Sequence, residues 1–132
     1  MKRTALLLCL SLAASLASGC RKTSFGAGCE KSVDLTAPWT ELGLPLDEEK
    51  TRVCASSAQE LKLRSYVWKS AGEAQPVFEN VLVAAGYKKD RCTGGACWFD
   101  KTDHTVGVHP MEFKVKKSTL VTVALTWRPD SR

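Results

Sequence analysis

The sequence predicts an α+β fold, in which an antiparallel β-sheet of about five or six strands carries one amphipathic helix on one face as a two-layer sandwich. Three observations support this prediction. One stretch places apolar residues at the helical period, several others alternate apolar and polar residues, and strand-like stretches lie on both sides of the helical one. A chain of 132 residues has room for one such domain.

The helix is predicted from an apolar stripe with a period of about 3.6 residues. The stripe consists of Ala74, Val77, Phe78, Val81, Leu82 and Ala85. Gly86 then supplies a C-terminal stop. Ser70 and Glu73 have the spacing of a capping box, but a helix that begins there encloses Pro76, which removes a backbone hydrogen bond. Pro76 therefore favours a start nearer residues 72–75.

Two strands are predicted from strict alternation of apolar and polar residues, over residues 60–68 and 119–127. The apolar faces consist of Leu61, Leu63 and Val67 in the first strand and of Val121, Val123, Leu125 and Trp127 in the second. Residues 96–99 and 51–55 are expected to complete the sheet. The segment before them is rich in proline and glycine, so we expect an irregular course with one short helical turn after Pro38.

A further strand is predicted around residues 111–116, where Met111, Phe113 and Val115 share one face. A short turn near residues 117–118 would fold this strand back onto the last one as a hairpin. Val106 and Val108 have the opposite parity, so the sequence predicts a bulge or break at residues 109–110.

Six cysteines are many for so short a chain, and small cysteine-rich domains belong mostly to oxidising compartments. They are Cys9, Cys20, Cys29, Cys54, Cys92 and Cys97. The last four allow three disulfide connectivities, which the sequence alone does not distinguish. The simplest pairing joins neighbours, Cys92 with Cys97 and Cys29 with Cys54.

The N-terminus has the anatomy of a signal peptide, because two basic residues precede an apolar run over residues 5–17. That run is shorter than a membrane-spanning helix requires. Its end, Leu16 to Cys20, resembles the lipobox of bacterial lipoproteins, in which a small residue precedes a cysteine that receives a diacylglycerol. Gly19 and Ser18 fit this pattern, whereas Ala17 stands where leucine is usual.

The resemblance implies a signal peptide over residues 1–19, a lipidated Cys20 with a polar tether over residues 20–28, and a single domain over residues 29–132. Removal of Cys9 with the leader leaves Cys20 and four other cysteines, so acylation of Cys20 allows the four to pair completely. Arg21 follows in place of the aspartate that favours inner-membrane retention, which implies an outer-membrane lipoprotein facing the periplasm. Ordinary cleavage and secretion remains the alternative.

Charge gives little indication of a partner. The 19 basic residues exceed the 14 acidic ones by five, and Lys2 and Arg3 leave with the leader, so the excess falls to three. Two basic clusters, around residues 88–91 and 114–117, have the chemistry to contact lipid phosphates, yet their interruptions are typical of a solvated face. We therefore expect no nucleic-acid partner.

Two patterns in the sequence offer metal ligands, one of four residues and one of a histidine–methionine pair. Cys92, Cys97, His104 and His109 form C-x4-C-x6-H-x4-H, but zinc fingers separate their pairs by about 12 residues and oxidation would consume both thiolates. His109 and Met111 share a strand face and offer ligands for copper. We expect a disulfide rather than zinc, and no cofactor.

No catalytic motif is present in the sequence, so we expect a protein that is not an enzyme. His104 lies near Asp100 and Asp103, but neighbouring strand residues point to opposite faces, which predicts a turn histidine among solvated aspartates.

The expected function is that of a membrane-tethered cell-envelope lipoprotein whose domain binds or scaffolds another envelope protein or the cell wall. Two alternatives remain open, a periplasmic copper- or zinc-handling protein and a secreted inhibitor or binding protein, such as an inhibitor of lysozymes. Of the four tryptophans most should lie in the core, and one exposed on the sheet would mark a partner surface.

Overall fold

The computed structural model describes residues 25–47 and 49–130. In this part of the chain six strands form one antiparallel sheet, and an α-helix packs on one face, so the predicted α+β class is confirmed. The elements are a 3-10 helix (Trp39–Glu41), β1 (Thr51–Ser56), β2 (Glu60–Ser65), α1 (Ala71–Ala84), β3 (Lys88–Thr93), β4 (Ala96–Asp100), β5 (His104–Val115) and β6 (Ser118–Pro129). The predicted leader and Cys20 lie outside the described residues.

The sheet has the strand order β1-β2-β6-β5-β4-β3. All neighbouring strands are antiparallel, and every pair except β2 with β6 is also consecutive in the chain, as in simple hairpins. The pairing of β2 with β6 joins the first two strands to the last four, from Glu60 opposite Thr126 to Ser65 opposite Val121.

The main hydrophobic core lies between α1 and the sheet. Ala74, Phe78 and Leu82 of the predicted stripe are buried there, which confirms the amphipathic helix. They pack with the buried strand residues Val53, Leu61, Leu63, Phe99, Val106, Val108, Val121, Val123 and Leu125. A buried side chain of this size contributes about 1.5 to 3 kcal/mol relative to an exposed one, so this layer supplies most of the stabilisation.

The start of α1 corrects the expectation taken from Pro76. The helix begins at Ala71, where Ser70 Oγ accepts the Glu73 backbone N–H at 3.1 Å and Glu73 Oε2 accepts the Lys69 N–H at 2.7 Å. Pro76 lies inside the helix on its exposed side, and the Gly72 carbonyl that it leaves without a partner N–H is also exposed and open to water. The two cap hydrogen bonds therefore outweigh the one that is lost.

The predicted bulge or break at residues 109–110 is wrong. Strand β5 pairs with β6 in one unbroken register, from His104 opposite Pro129 to Val115 opposite Ser118. The parity of the apolar residues changes because β5 contacts different apolar clusters on its two faces. Pro110 is tolerated because β4 pairs only as far as Val108, which leaves β5 with a single neighbouring strand there.

Strand β3 was missing from the predicted order. All six of its residues are exposed, and it is an edge strand that pairs only with β4 among the described elements. Such a strand has no buried face to produce alternation. The segment between Cys92 and Cys97 is the turn of the β3–β4 hairpin.

Strand β2 ends at Ser65, earlier than the sequence predicts. Val67, expected on the core face, is 41% exposed. Trp68 turns back into the core instead, where its ring lies 5.3 Å from that of Phe78.

The segment before β1 contacts both faces of the sheet. Trp39, in the short helical turn expected after Pro38, is buried in the main core, and its Nε1 donates to the Ser57 carbonyl at 2.6 Å. Phe25, which the sequence assigns to the tether, is only 3% exposed and forms a second cluster with Cys29 and Leu120 on the face away from α1. From Phe25 onward the chain therefore packs on the domain.

Candidate functional site

The face of the sheet opposite α1, which we call the open face, carries the strongest candidate for a binding site. Cys97 and Phe99 are buried in the core toward α1, so Trp98 between them points to the open face. The same alternation puts Gly107 of β5 and Arg128 of β6 on this face. Three strands thus bring these residues together near the end of the sheet opposite the β5–β6 turn.

A concave surface of about 730 Å³ surrounds Trp98, and we call it the Trp98 groove. Trp98 rests directly on Gly107, because a side-chain carbon added there would come within 2.6 Å of the indole ring. The Arg128 guanidinium lies over the same ring at 4.4 Å from its centre. The indole is therefore held between the bare backbone of Gly107 and the guanidinium of Arg128.

The remaining walls of the Trp98 groove carry both signs of charge. Arg91 lies with Arg128 in the lining, alongside the carboxylates of Asp90, Asp100 and Asp130. The Asp100 carboxylate accepts the Thr105 hydroxyl at 2.9 Å, which fixes its orientation. The groove therefore offers an aromatic surface for stacking surrounded by hydrogen-bond donors and acceptors, which suits the recognition of a polar partner.

Most of the four tryptophans lie in or against the core, as the sequence predicts, and none is fully exposed. Trp39 and Trp68 are buried, and half-buried Trp127 packs against the main core. Trp98 is half-buried and lies on the open face, where it lines the groove. The sequence did not point to Gly107 or Arg128, although a glycine between two valines of a strand is itself a signal of close approach.

His104 is not the solvated turn histidine that the sequence predicts. It is buried, its Nε2 lies 2.5 Å from the Tyr87 hydroxyl, and its Nδ1 lies 2.6 Å from Asp103 Oδ1. Its ring also stacks on Trp127, with 3.6 Å between ring centres. Asp103 precedes β5 at a bend, so the strand alternation that separates neighbouring side chains does not apply to it.

This chain of hydrogen bonds links two buried side chains to the exposed carboxylate of Asp103. The hydrogen bond from His104 lowers the pKa of the Asp103 carboxyl, and burial, followed by the charges of Asp103 and Glu41, raises the pKa of Tyr87 to about 12. Tyr87 and His104 are only 4% and 8% exposed, so a substrate has little access to either. The contacts fasten the segment after α1 to the start of β5.

The candidate metal ligands do not lie together. Cys92 and Cys97 are joined in a disulfide, His104 faces the core, and His109 lies on the other side of β5. His109 and Met111 share the open face, as expected, and both are half-buried. Within residues 25–47 and 49–130, no group of three or more histidine, cysteine or acidic side chains is arranged to hold a metal ion.

Both neighbour disulfides of the sequence analysis are formed, Cys29–Cys54 and Cys92–Cys97. The first crosses from the N-terminal segment to β1, where the Arg52 guanidinium also donates to the carbonyl of Cys29 at 3.2 Å. The second closes the β3–β4 hairpin at paired positions.

Neither a family model, nor a curated protein, nor a solved structure matches this chain. Among the described residues, no helix combines the length and apolar character needed to cross a membrane.

Proposed function

We propose that the protein is a lipoprotein of the bacterial cell envelope, anchored by acyl chains on Cys20, whose domain is a non-catalytic binding module. The anchor would hold it at the outer membrane, facing the periplasm. The Trp98 groove is the surface through which the domain contacts another envelope protein or the cell wall.

The observation that carries the proposal is the complete pairing of the cysteines behind Cys20. All four cysteines within residues 25–47 and 49–130 form disulfides, which persist in oxidising compartments. After cleavage of the predicted leader, Cys20 is the one cysteine left over. Its lipobox-like setting and its lack of a disulfide partner among these four support acylation there.

The binding role is supported by the chemistry of the open face. Trp98 and Arg128 belong to the residue types that contribute most to recognition, and they lie together on a rigid strand surface. The only histidine hydrogen-bonded to a carboxylate in the described part of the chain is buried His104, which favours a non-catalytic domain.

Metabolic labelling tests the anchor. The full chain would be expressed in a bacterium supplied with an alkyne-bearing palmitate, and the mature N-terminal peptide would be weighed by mass spectrometry. Cys20→Ser should abolish the label, while Cys9→Ser, which removes a thiol from the predicted leader, should be labelled like the parent. An unlabelled parent chain, or label that survives Cys20→Ser, would contradict the proposal.

The groove is tested by two matched charge removals on the open face. Arg128→Ala removes the cation over Trp98, whereas Lys62→Ala removes one from β2, outside the groove lining. We would measure cross-linking to envelope proteins in intact cells and sedimentation with purified peptidoglycan. Arg128→Ala should weaken one of these interactions and Lys62→Ala neither; an equal effect of both would assign binding to another surface.

A further inference from the structure

The place where the described chain begins is fixed on the open face, close to the β5–β6 turn. Phe25 packs with Leu120 of β6, and its ring lies 5.3 Å from that of Tyr66. The Arg64 guanidinium donates to the carbonyls of Phe25, at 2.6 Å, and Ala27, at 3.2 Å. Phe25 is therefore held to the sheet by packing and by hydrogen bonds.

This placement limits the distance of Cys20 from the domain. Cys20 precedes Phe25 by five residues, and five extended residues span at most about 18 Å. Along β6, Leu120 is the third residue, about 7 Å from Ser118 at the start of the strand. An anchor on Cys20 thus holds the β5–β6 turn close to the membrane.

The other end of the sheet lies too far from Phe25 for the tether to bring it to the membrane in place of the β5–β6 turn. Phe113, which pairs with Leu120, is nine positions along β5 from His104, a distance of about 30 Å. The tether is shorter than this, so the domain cannot stand on that end. Asp100, Asp103 and Asp130 lie there together with Arg91 and Arg128, so this end lacks the excess of cations that an anionic surface attracts.

The residues at the turn have the chemistry of a membrane-surface contact. We call residues 113–119 the hairpin tip. Phe113 is 51% exposed, and Lys114, Lys116 and Lys117 are all exposed beside it. The nearest carboxylate along β5, that of Glu112, accepts the backbone N–H of Ala71 at 3.0 Å. Exposed lysines attract anionic headgroups, and an aromatic ring enters the interface between headgroups and acyl chains.

We propose that the hairpin tip rests on the anionic phospholipid surface in which Cys20 is anchored, so that the domain stands upright with the Trp98 groove directed away from the membrane. This orientation rests on the lipid anchor of the proposed function. The anchor brings the tip to the bilayer, and the lysines and Phe113 select which end of the domain touches it.

Site-specific photo-cross-linking in the full, natively processed chain tests the orientation. A benzophenone amino acid would replace Phe113 in one variant and Val83 in another, since Val83 of α1 is 52% exposed but lies away from the tip. Adducts with phospholipid would be quantified by mass spectrometry, and the alkyne-palmitate label would be read on the same samples. Position 113 should give lipid adducts and position 83 should give few.

Matched charge reversals test the role of the lysines. Lys116→Glu with Lys117→Glu should lower the lipid adduct at position 113 by on the order of tenfold or more, because each lysine near an anionic surface contributes about fivefold. Lys62→Glu with Lys88→Glu makes the same charge change at exposed positions of β2 and β3, outside the hairpin tip and the groove lining, and should leave the adduct unchanged. Vesicles of phosphatidylcholine alone, compared with vesicles containing phosphatidylglycerol, should reproduce the loss.

The outcomes separate the two proposals. A labelled chain with equal lipid adducts at positions 113 and 83, or with protein adducts alone at 113, overturns the orientation and leaves the anchor intact. Equal effects of the two charge reversals also overturn it. A chain without palmitate overturns the proposed function, and the orientation with it.

Discussion

Removal of the Cys29–Cys54 disulfide should cost more stability than removal of Cys92–Cys97, because it closes a much longer loop. The sequence separations are 25 and 5 residues. In the chain-entropy model these closures stabilise the folded state by about 3.5 and about 2 kcal/mol, respectively. The difference of about 1.5 kcal/mol comes from loop closure alone, since each variant also truncates one buried cysteine, Cys29 in the second cluster or Cys97 in the main core.

The assay is urea unfolding of two double variants, Cys29→Ala with Cys54→Ala and Cys92→Ala with Cys97→Ala. Both are compared with the oxidised parent. All three proteins lack residues 1–19 and carry Cys20→Ser. The first variant should lower the midpoint by roughly 1 to 3 M urea and the second by clearly less. Equal losses in the two variants, or a larger loss from Cys92 and Cys97, would refute the loop-length reasoning.

Three smaller perturbations test contacts described above. The folded protein raises the pKa of Tyr87 from its ordinary value of 10.0 to about 12. The stability that the protonated Tyr87 contributes is therefore complete below pH 10 and is lost as the pH rises through 12. In urea unfolding the parent should lose up to about 2 to 3 kcal/mol over this range relative to Tyr87→Phe, and parallel pH curves of the two proteins would contradict this. Ser70→Ala should lower the free energy of unfolding by about 1 kcal/mol through loss of the helix cap, while Ser70→Asp should retain it; equal stabilities of the two variants would exclude the cap. Gly107→Ala should lower the free energy of unfolding by about 1 to 3 kcal/mol and shift the tryptophan fluorescence, because the added methyl group meets the Trp98 ring. Adding Trp98→Leu should restore part of this free energy, and a loss unchanged by the second substitution would locate the strain elsewhere.

Elements with one buried face were predictable, because burial on one side imposes a period on the sequence. The stripe of α1 and the alternation of β6 are both of this kind, and both are confirmed. Strand β3 is exposed along its whole length, so nothing in its residues distinguishes a strand from a charged loop. Its pairing with β4 becomes evident only in three dimensions.

The errors at Pro76 and at residues 109–110 have a common origin. In each case a single local rule was applied without the contacts that offset it. At α1 those contacts are the two cap hydrogen bonds around Ser70, and at β5 they are two clusters on opposite faces of one strand. The second cluster depends on Phe25, which the sequence assigned to a tether.

The Trp98 groove was predictable only in part. The sequence directs attention to any tryptophan on the outer face of the sheet without saying which of the four lies there. Gly107 and Arg128 come from two other strands, and their juxtaposition with Trp98 depends on the sheet register. The chain of Tyr87, His104 and Asp103 was missed because Asp103 lies at a bend before β5 and Tyr87 follows α1, where strand alternation gives no guidance.

The pairing of β2 with β6 has a consequence for how the domain opens. Among the strands that the structure describes, it is the one contact between neighbours that are distant along the chain, and neither disulfide crosses it. The sheet can therefore separate along this seam into a two-stranded part and a four-stranded part while both described disulfides stay closed. Cohesion across the seam depends on backbone hydrogen bonds, on apolar pairs such as Leu63 opposite Val123, and on the packing of Phe25 against Leu120.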